Sequence, residues 1–378
     1  MKIKLLTAVV GAALVTGSLA TQPAFAAAEA YGHLDIGVQR VDPGGGYEGA
    51  KIFVNDQQGS SGGILGFRAT EDIGGGLKGL AVIELGMSTD TGELDNAAVG
   101  TGTCPTGLPT DPISACASTT VTTSSTFKLF QRQIFVGLTG DFGTLTGGRQ
   151  YREAFLVGNA AAYNYTAAAI GVFFLNTYTG IRQDNFIKYA SPSFGGVSVL
   201  AGYAPGEGTT ADGTNKDNGK YMEAGVKWSA GPLQFAAVKG KSTADAAATS
   251  PVDTDVLTAG GQYSFGPATV YAIYATGEND PKTLDESTVS LGGKYTIGNG
   301  DVVLQVGTRK NDAASSADST LMGVAYYHRL SKTTIVYAAY GNLSNDSGAT
   351  LNAPRQAVNT TATGEDPSTF SFGIRRFF

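Results

Sequence analysis

The chain is poor in the side chains from which most catalytic and metal centres are built. Its 378 residues include two cysteines, two histidines and one tryptophan. Cys104 and Cys116 have no histidine nearby, and two thiols alone do not make a metal site. In an oxidising compartment they are expected to form a local disulfide across a Gly/Thr/Ser/Pro-rich stretch. His33 and His328 lie far apart in sequence, and no Ser/His pair points to a hydrolase. Gly74-Gly75-Gly76 lacks the Lys-Ser/Thr context of a phosphate loop and reads as a turn. Charged residues make up only 15%. The basic ones are scattered along the chain, which gives nucleic-acid binding no support. Past the N-terminus no apolar run reaches about 18 residues, so ordinary transmembrane helices are excluded. An enzyme, a cofactor and a metal are therefore not expected.

What the chain has in quantity is glycine, tyrosine and phenylalanine: 53, 17 and 18 residues. Residues 1–28 read as a signal peptide. Lys2 and Lys4 precede a short apolar core, and Ala24-Phe25-Ala26 and Ala26-Ala27-Ala28 are candidate cleavage sites. Without Lys2 and Lys4, the 26 basic residues fall to 24 against 32 acidic ones. Residues 29–378 continue one pattern to the end with no linker, and so are expected to form one domain. Short runs alternate between apolar and polar positions. Val289, Leu291, Gly293, Tyr295 and Ile297 share one parity in residues 287–297, with Ser290, Gly292, Lys294 and Thr296 on the other. The run at 267–276 is ambiguous, because both parities are largely apolar. About 16 such runs are joined by connections that alternate strictly between short and long, the pattern of a membrane-spanning β-barrel. Closure of about 16 strands leaves an aqueous channel rather than a packed core.

Residues 127–196 organise the rest. Runs at 128–140 and 143–151 meet at Asp141-Phe142-Gly143 and read as a hairpin. About 30 residues then pass before the next run at 184–190, a length that is usually functional or disordered. From Ala154 to Ile181 there is no charge, yet Phe155, Tyr163, Tyr165, Phe173, Phe174 and Tyr178 are present. That is too aromatic for a disordered linker, and it suggests a loop packed against an inner wall. The order RQIFVGLTGDFGTLTGGRQY, long loop, NFIKYASPSFGG resembles the Gram-negative general porins. The resemblance implies a trimeric outer-membrane barrel whose third outside loop, here residues 152–183, folds into the lumen and sets the pore.

Alternation directs Arg68, Arg132, Arg182 and Lys188 toward the lumen, and Arg132 and Arg182 match basic wall positions of that family. Arg149 of GGRQ falls on the outward parity, where a subunit contact is an equal reading. Ile64 stands where many relatives carry an inward arginine, and Glu153 is the sole carboxylate near the start of the loop. A cationic wall facing so few carboxylates predicts a focused positive potential and a preference for anions. Phe378, sharing a parity with Phe370, Phe372 and Ile374, resembles the family's signal to the barrel-assembly machinery. The resemblance also implies a homotrimer in contact with lipid and lipopolysaccharide, passing small hydrophilic solutes and inorganic anions. A substrate-selective channel with an aromatic track, and an adhesion or receptor barrel, are the alternative readings.

Overall fold

The computed structural model describes residues 28–44, 51–55, 63–94, 129–160, 180–207, 217–245, 251–280, 282–351 and 363–378. The signal-peptide reading, Cys104, Cys116, Tyr163, Tyr165, Phe173, Phe174 and Tyr178 lie outside the described residues.

In chain order the strands are β1 (Glu29–Asp42), β2 (Lys51–Asn55), β3 (Gly63–Gly74), β4 (Leu77–Met87), β5 (Gln133–Gly140) and β6 (Gly143–Tyr151). A short helix, α1 (Glu153–Ala160), follows. Then come β7 (Arg182–Ala190), β8 (Val197–Ala204), β9 (Tyr221–Ala230), β10 (Leu233–Asp245), β11 (Pro251–Phe265) and β12 (Ala268–Asn279). The last five are β13 (Asp285–Ile297), β14 (Gly300–Asn311), β15 (Ser319–Arg329), β16 (Thr334–Asn345) and β17 (Ser368–Phe377). All seventeen belong to one antiparallel sheet in which consecutive strands from β3 to β17 pair with one another and β17 returns to β1. β3 pairs with the first half of β1 and β2 with the second half. They share one wall position, and the closed barrel has sixteen.

The packing is inside out relative to a soluble protein. Along β15 the residues Leu321, Gly323, Ala325 and Tyr327 are buried, while Met322, Val324 and Tyr326 are exposed. The outward face likewise exposes Leu304 and Val306 on β14 and Leu291 and Tyr295 on β13. Exposed apolar side chains on this scale have hydrocarbon as their natural solvent, and the polar parity then faces water. Among the described residues no helix is long and apolar enough to cross a membrane, so the strands do the crossing.

Three departures from the sequence pattern have physical causes. The ladder of β5 begins at Gln133 rather than at 128. The two-faced apolar run is β12, whose inward Tyr271, Ile273 and Ala275 are buried. Phe155 of α1 packs against Ile273, Ala275 and Val256 of β11, so this part of the inner wall is apolar because a helix covers it. Finally, β6 carries a bulge between Gly148 and Gln150. Gly148 has φ +141°, and a Cβ there would lie 2.3 Å from the Ile134 carbonyl oxygen, so a larger residue has no room.

The closing contact is fully paired. Ten residue pairs run from His33↔Phe377 to Asp42↔Ser368. On the inner side Asp35 accepts from Arg375 Nε at 2.7 Å and from the Tyr337 hydroxyl at 2.6 Å. Asp35 is 0% exposed and Arg375 3%. Removing one partner of such a pair strands a buried charge. Asp35→Ala is expected to cost about 3–5 kcal/mol, while Asp35→Leu with Arg375→Met recovers most of that loss. Urea midpoints of the refolded barrels check this; equal midpoints for Asp35→Ala and wild type would refute it.

Candidate functional site

The site is built where β6 ends and α1 begins. Arg152 is the residue before the helix, and its carbonyl accepts the first helical bond from the Leu156 N–H at 3.1 Å. A helix leaves its first N–H groups without intrahelical partners, and a side-chain oxygen at this position usually takes one of them. Arginine has no acceptor to offer. The carboxylate of Glu223 on β9 takes the place: the Glu153 N–H donates to it at 2.9 and 3.0 Å and the Ala154 N–H at 3.3 Å. The Tyr221 hydroxyl donates to the same carboxylate at 2.9 Å. Arg152 lies over the Tyr221 ring, 4.0 Å from its centroid, and donates to Gln183 Oε1 at 2.6 Å.

Beyond this cap α1 is held by packing. Ala154 and Val157 are buried against Leu200 of β8 and Val238 of β10, and Phe155 against β11 and β12. All of these wall residues have the buried parity, so α1 lies on the inner face of the barrel.

The charged groups gather around the start of the helix. Glu153 pairs with Lys188 Nζ at 2.6 Å and with Lys227 Nζ at 2.8 Å. Burial works to raise the Glu153 carboxyl pKa, but the two ammonium groups outweigh it and hold the group below its ordinary value. Arg132 Nε donates to Glu84 Oε1 at 2.6 Å, and the Tyr31 hydroxyl donates to Glu84 Oε2 at 3.0 Å. Arg132 also donates to the Tyr151 hydroxyl. Arg182 reaches that hydroxyl at 3.3 Å, and Lys188 donates to the Tyr151 carbonyl at 3.0 Å. Arg68 is paired with Glu29 at 2.8 Å and is largely exposed. Arg68, Tyr151, Glu153 and Lys188 line one cavity of about 380 Å³.

A family model described as Gram-negative porin matches residues 8–348. The chain belongs to that family. Its relatives include outer membrane porin protein 32 of Delftia acidovorans, 28% identical over 340 residues that cover 85% of this chain and 86% of that one. Among solved structures, an anion-selective porin from Comamonas acidovorans has the same fold, with a TM-score of 0.74 at 23% identity over 93% of this chain and 100% of that one. OmpT of Vibrio cholerae in its trimer form gives a TM-score of 0.64 at 17% identity over 94% and 100%. This porin therefore forms a channel through the outer membrane.

The porin's wall brings together all five charged residues that the sequence singles out for the pore, but not in the expected way. The expectation that alternation turns Arg132 inward names the right face for the wrong reason, because strict alternation from the exposed Ile134, Val136 and Leu138 turns position 132 outward. Arg132 faces inward because the chain has not yet joined the ladder of β5 at that point. The wall also supplies its own carboxylates. Glu29, Glu84 and Glu153 neutralise Arg68, Arg132 and Lys188, so the cationic field is weaker than a count of arginines suggests. Arg149 stays on the outward side opposite Ile134. There it pairs with Asp184 and donates to the Gln131 carbonyl at 2.6 Å. Sequence reasoning missed the part played by Glu223. Its inward parity on β9 was readable, but no local signal tells that a helix 70 positions away presents its N–H groups to it.

Glu223→Ala removes the acceptor for those N–H groups and is expected to give a larger and noisier single-channel current, with the barrel still folding. Wild-type amplitude and noise would mean that apolar packing alone holds α1.

Proposed function

We propose that this porin is a passive, anion-preferring diffusion channel for small hydrophilic solutes rather than an enzyme, working as a homotrimer. The carrying observation is the balance of charge around α1. Six basic side chains (Arg68, Arg132, Arg152, Arg182, Lys188 and Lys227) meet four carboxylates, Glu29, Glu84, Glu153 and Glu223. A net positive charge at a constriction with low-dielectric walls attracts anions from both mouths, although the chain as a whole is acidic. The anion-selective Comamonas porin of the same fold agrees with this reading.

In this reading residues 1–28 direct export and are removed, and residues 152–183 form the constriction. Its aromatic residues Tyr163, Tyr165, Phe173, Phe174 and Tyr178 complete it, and a Cys104–Cys116 disulfide closes an outer loop. The trimeric OmpT structure supports the homotrimer. Phe378, which exchanges backbone hydrogen bonds with Gly32 at 3.1 Å and is exposed beside the outward set of β17, is read by the barrel-assembly machinery. The exposed apolar belt contacts lipid and lipopolysaccharide.

The test is a zero-current potential across a planar bilayer with a potassium chloride gradient. Wild type is expected to show the sign of chloride preference, and Arg132→Ala with Arg182→Ala to raise conductance and weaken that preference. A potassium-selective wild type would contradict the proposal.

A further inference from the structure

The four basic pore residues read from the sequence do not contribute equally. Arg68, Arg132 and Lys188 each have a carboxylate within 2.8 Å. Arg182 has none among the described residues. Its contacts are with a neutral side chain: one Nη donates to the Tyr151 hydroxyl at 3.3 Å, and the guanidinium carbon lies 4.9 Å from the centroid of the Tyr151 ring. Arg132 approaches the same ring, 5.8 Å from the centroid, and donates to the same hydroxyl oxygen. Two guanidinium groups this close repel one another, and their positions depend on what lies between them. A phenol oxygen with two lone pairs can accept from both. The negative face of the ring attracts both cations without cancelling either charge. Phe155 of α1 stacks on that ring, with centroids 5.5 Å apart and planes 15° apart, and this fixes its plane.

We infer that Tyr151 is the positioning residue for charge selection in this porin, holding Arg182, the one of these four cations without a carboxylate partner among the described residues, where it discriminates among permeating ions. The inference rests on the anion-preferring reading and narrows it from a wall of cations to one residue and its holder. It also ties pore width to pore charge, because the ring that sets the guanidinium groups is seated on the constriction helix.

The experiment compares zero-current potentials of wild type, Tyr151→Phe, Tyr151→Leu, Arg182→Ala and the Tyr151→Leu/Arg182→Ala double variant in the same salt gradient. Tyr151→Leu removes the acceptor and the ring, and its potential is expected to coincide with that of Arg182→Ala. Tyr151→Phe keeps the ring, loses only the hydroxyl and lies between Tyr151→Leu and wild type. The double variant adds nothing to Arg182→Ala. Glu84→Gln, which removes the countercharge of Arg132, shifts the potential the opposite way. A general loss of structure would not produce these opposed shifts. Wild-type potentials in both Tyr151 variants alongside a shifted Arg182→Ala would overturn the role of Tyr151, as would a full effect of Tyr151→Leu with none from Arg182→Ala. The shift from wild type judges Tyr151, whereas the sign of the wild-type potential judges the underlying reading of anion preference.

Discussion

A peptide group left unpaired in hydrocarbon costs several kcal/mol, which permits a sheet to cross a membrane only when it closes on itself. Every other feature of this porin follows from that constraint. Closure requires β17 to find β1, and the ten-pair register between them is backed on the inner side by the buried Asp35, Arg375 and Tyr337 cluster. Closure also fixes two surfaces of opposite character. The outward parity is apolar because lipid surrounds it. The inward parity carries the charged and polar side chains, and on β11 and β12 it is apolar where α1 covers it.

That apolar patch of the inner wall is the seat of α1. Val238, Val256, Ile273 and Ala275 would be poor residues for a wet surface, but they are buried beneath Ala154, Phe155 and Val157 of α1. An eight-residue helix is too short to be stable by itself in water. It persists through that apolar contact and through Glu223, which takes up N–H groups that Arg152 cannot satisfy. The same few residues set the electrostatics. Glu153 opens the helix and pairs with two lysines of the wall, and Tyr151 precedes it and gathers two arginines. One junction between strand and helix thereby carries both the dock of α1 and the charged cluster beside it.

Much of this was readable from the amino acids. Period-two alternation in β9, β13 and β15 and the parity of short and long connections are direct consequences of a closed sheet, and sixteen runs match sixteen wall positions. What escaped the sequence is of another kind. The helix α1 carries no periodic signal, since Glu153 and Asn159 are its only polar side chains and it is buried on several sides. The inner apolar patch of β12 looked like noise because its cause lies over a hundred residues earlier. Arg132 faces the lumen through a late start of the ladder, which alternation cannot express. The pairing of Glu84 with Arg132 joins positions 48 apart; it required the register of β4 against β5, not merely the two parities.

The measurement that tests most directly whether α1 lies inside the barrel is an engineered cross-link. With Cys104 and Cys116 replaced by serine, Val157→Cys is combined with either Val238→Cys or Ala237→Cys, neighbours on opposite faces of β10. A helix docked on the inner wall forms the disulfide with position 238 and not with 237, and the linked protein still conducts in a planar bilayer. A link to 237 instead, or none to either, would place the helix elsewhere and contradict a channel narrowed by its own polypeptide.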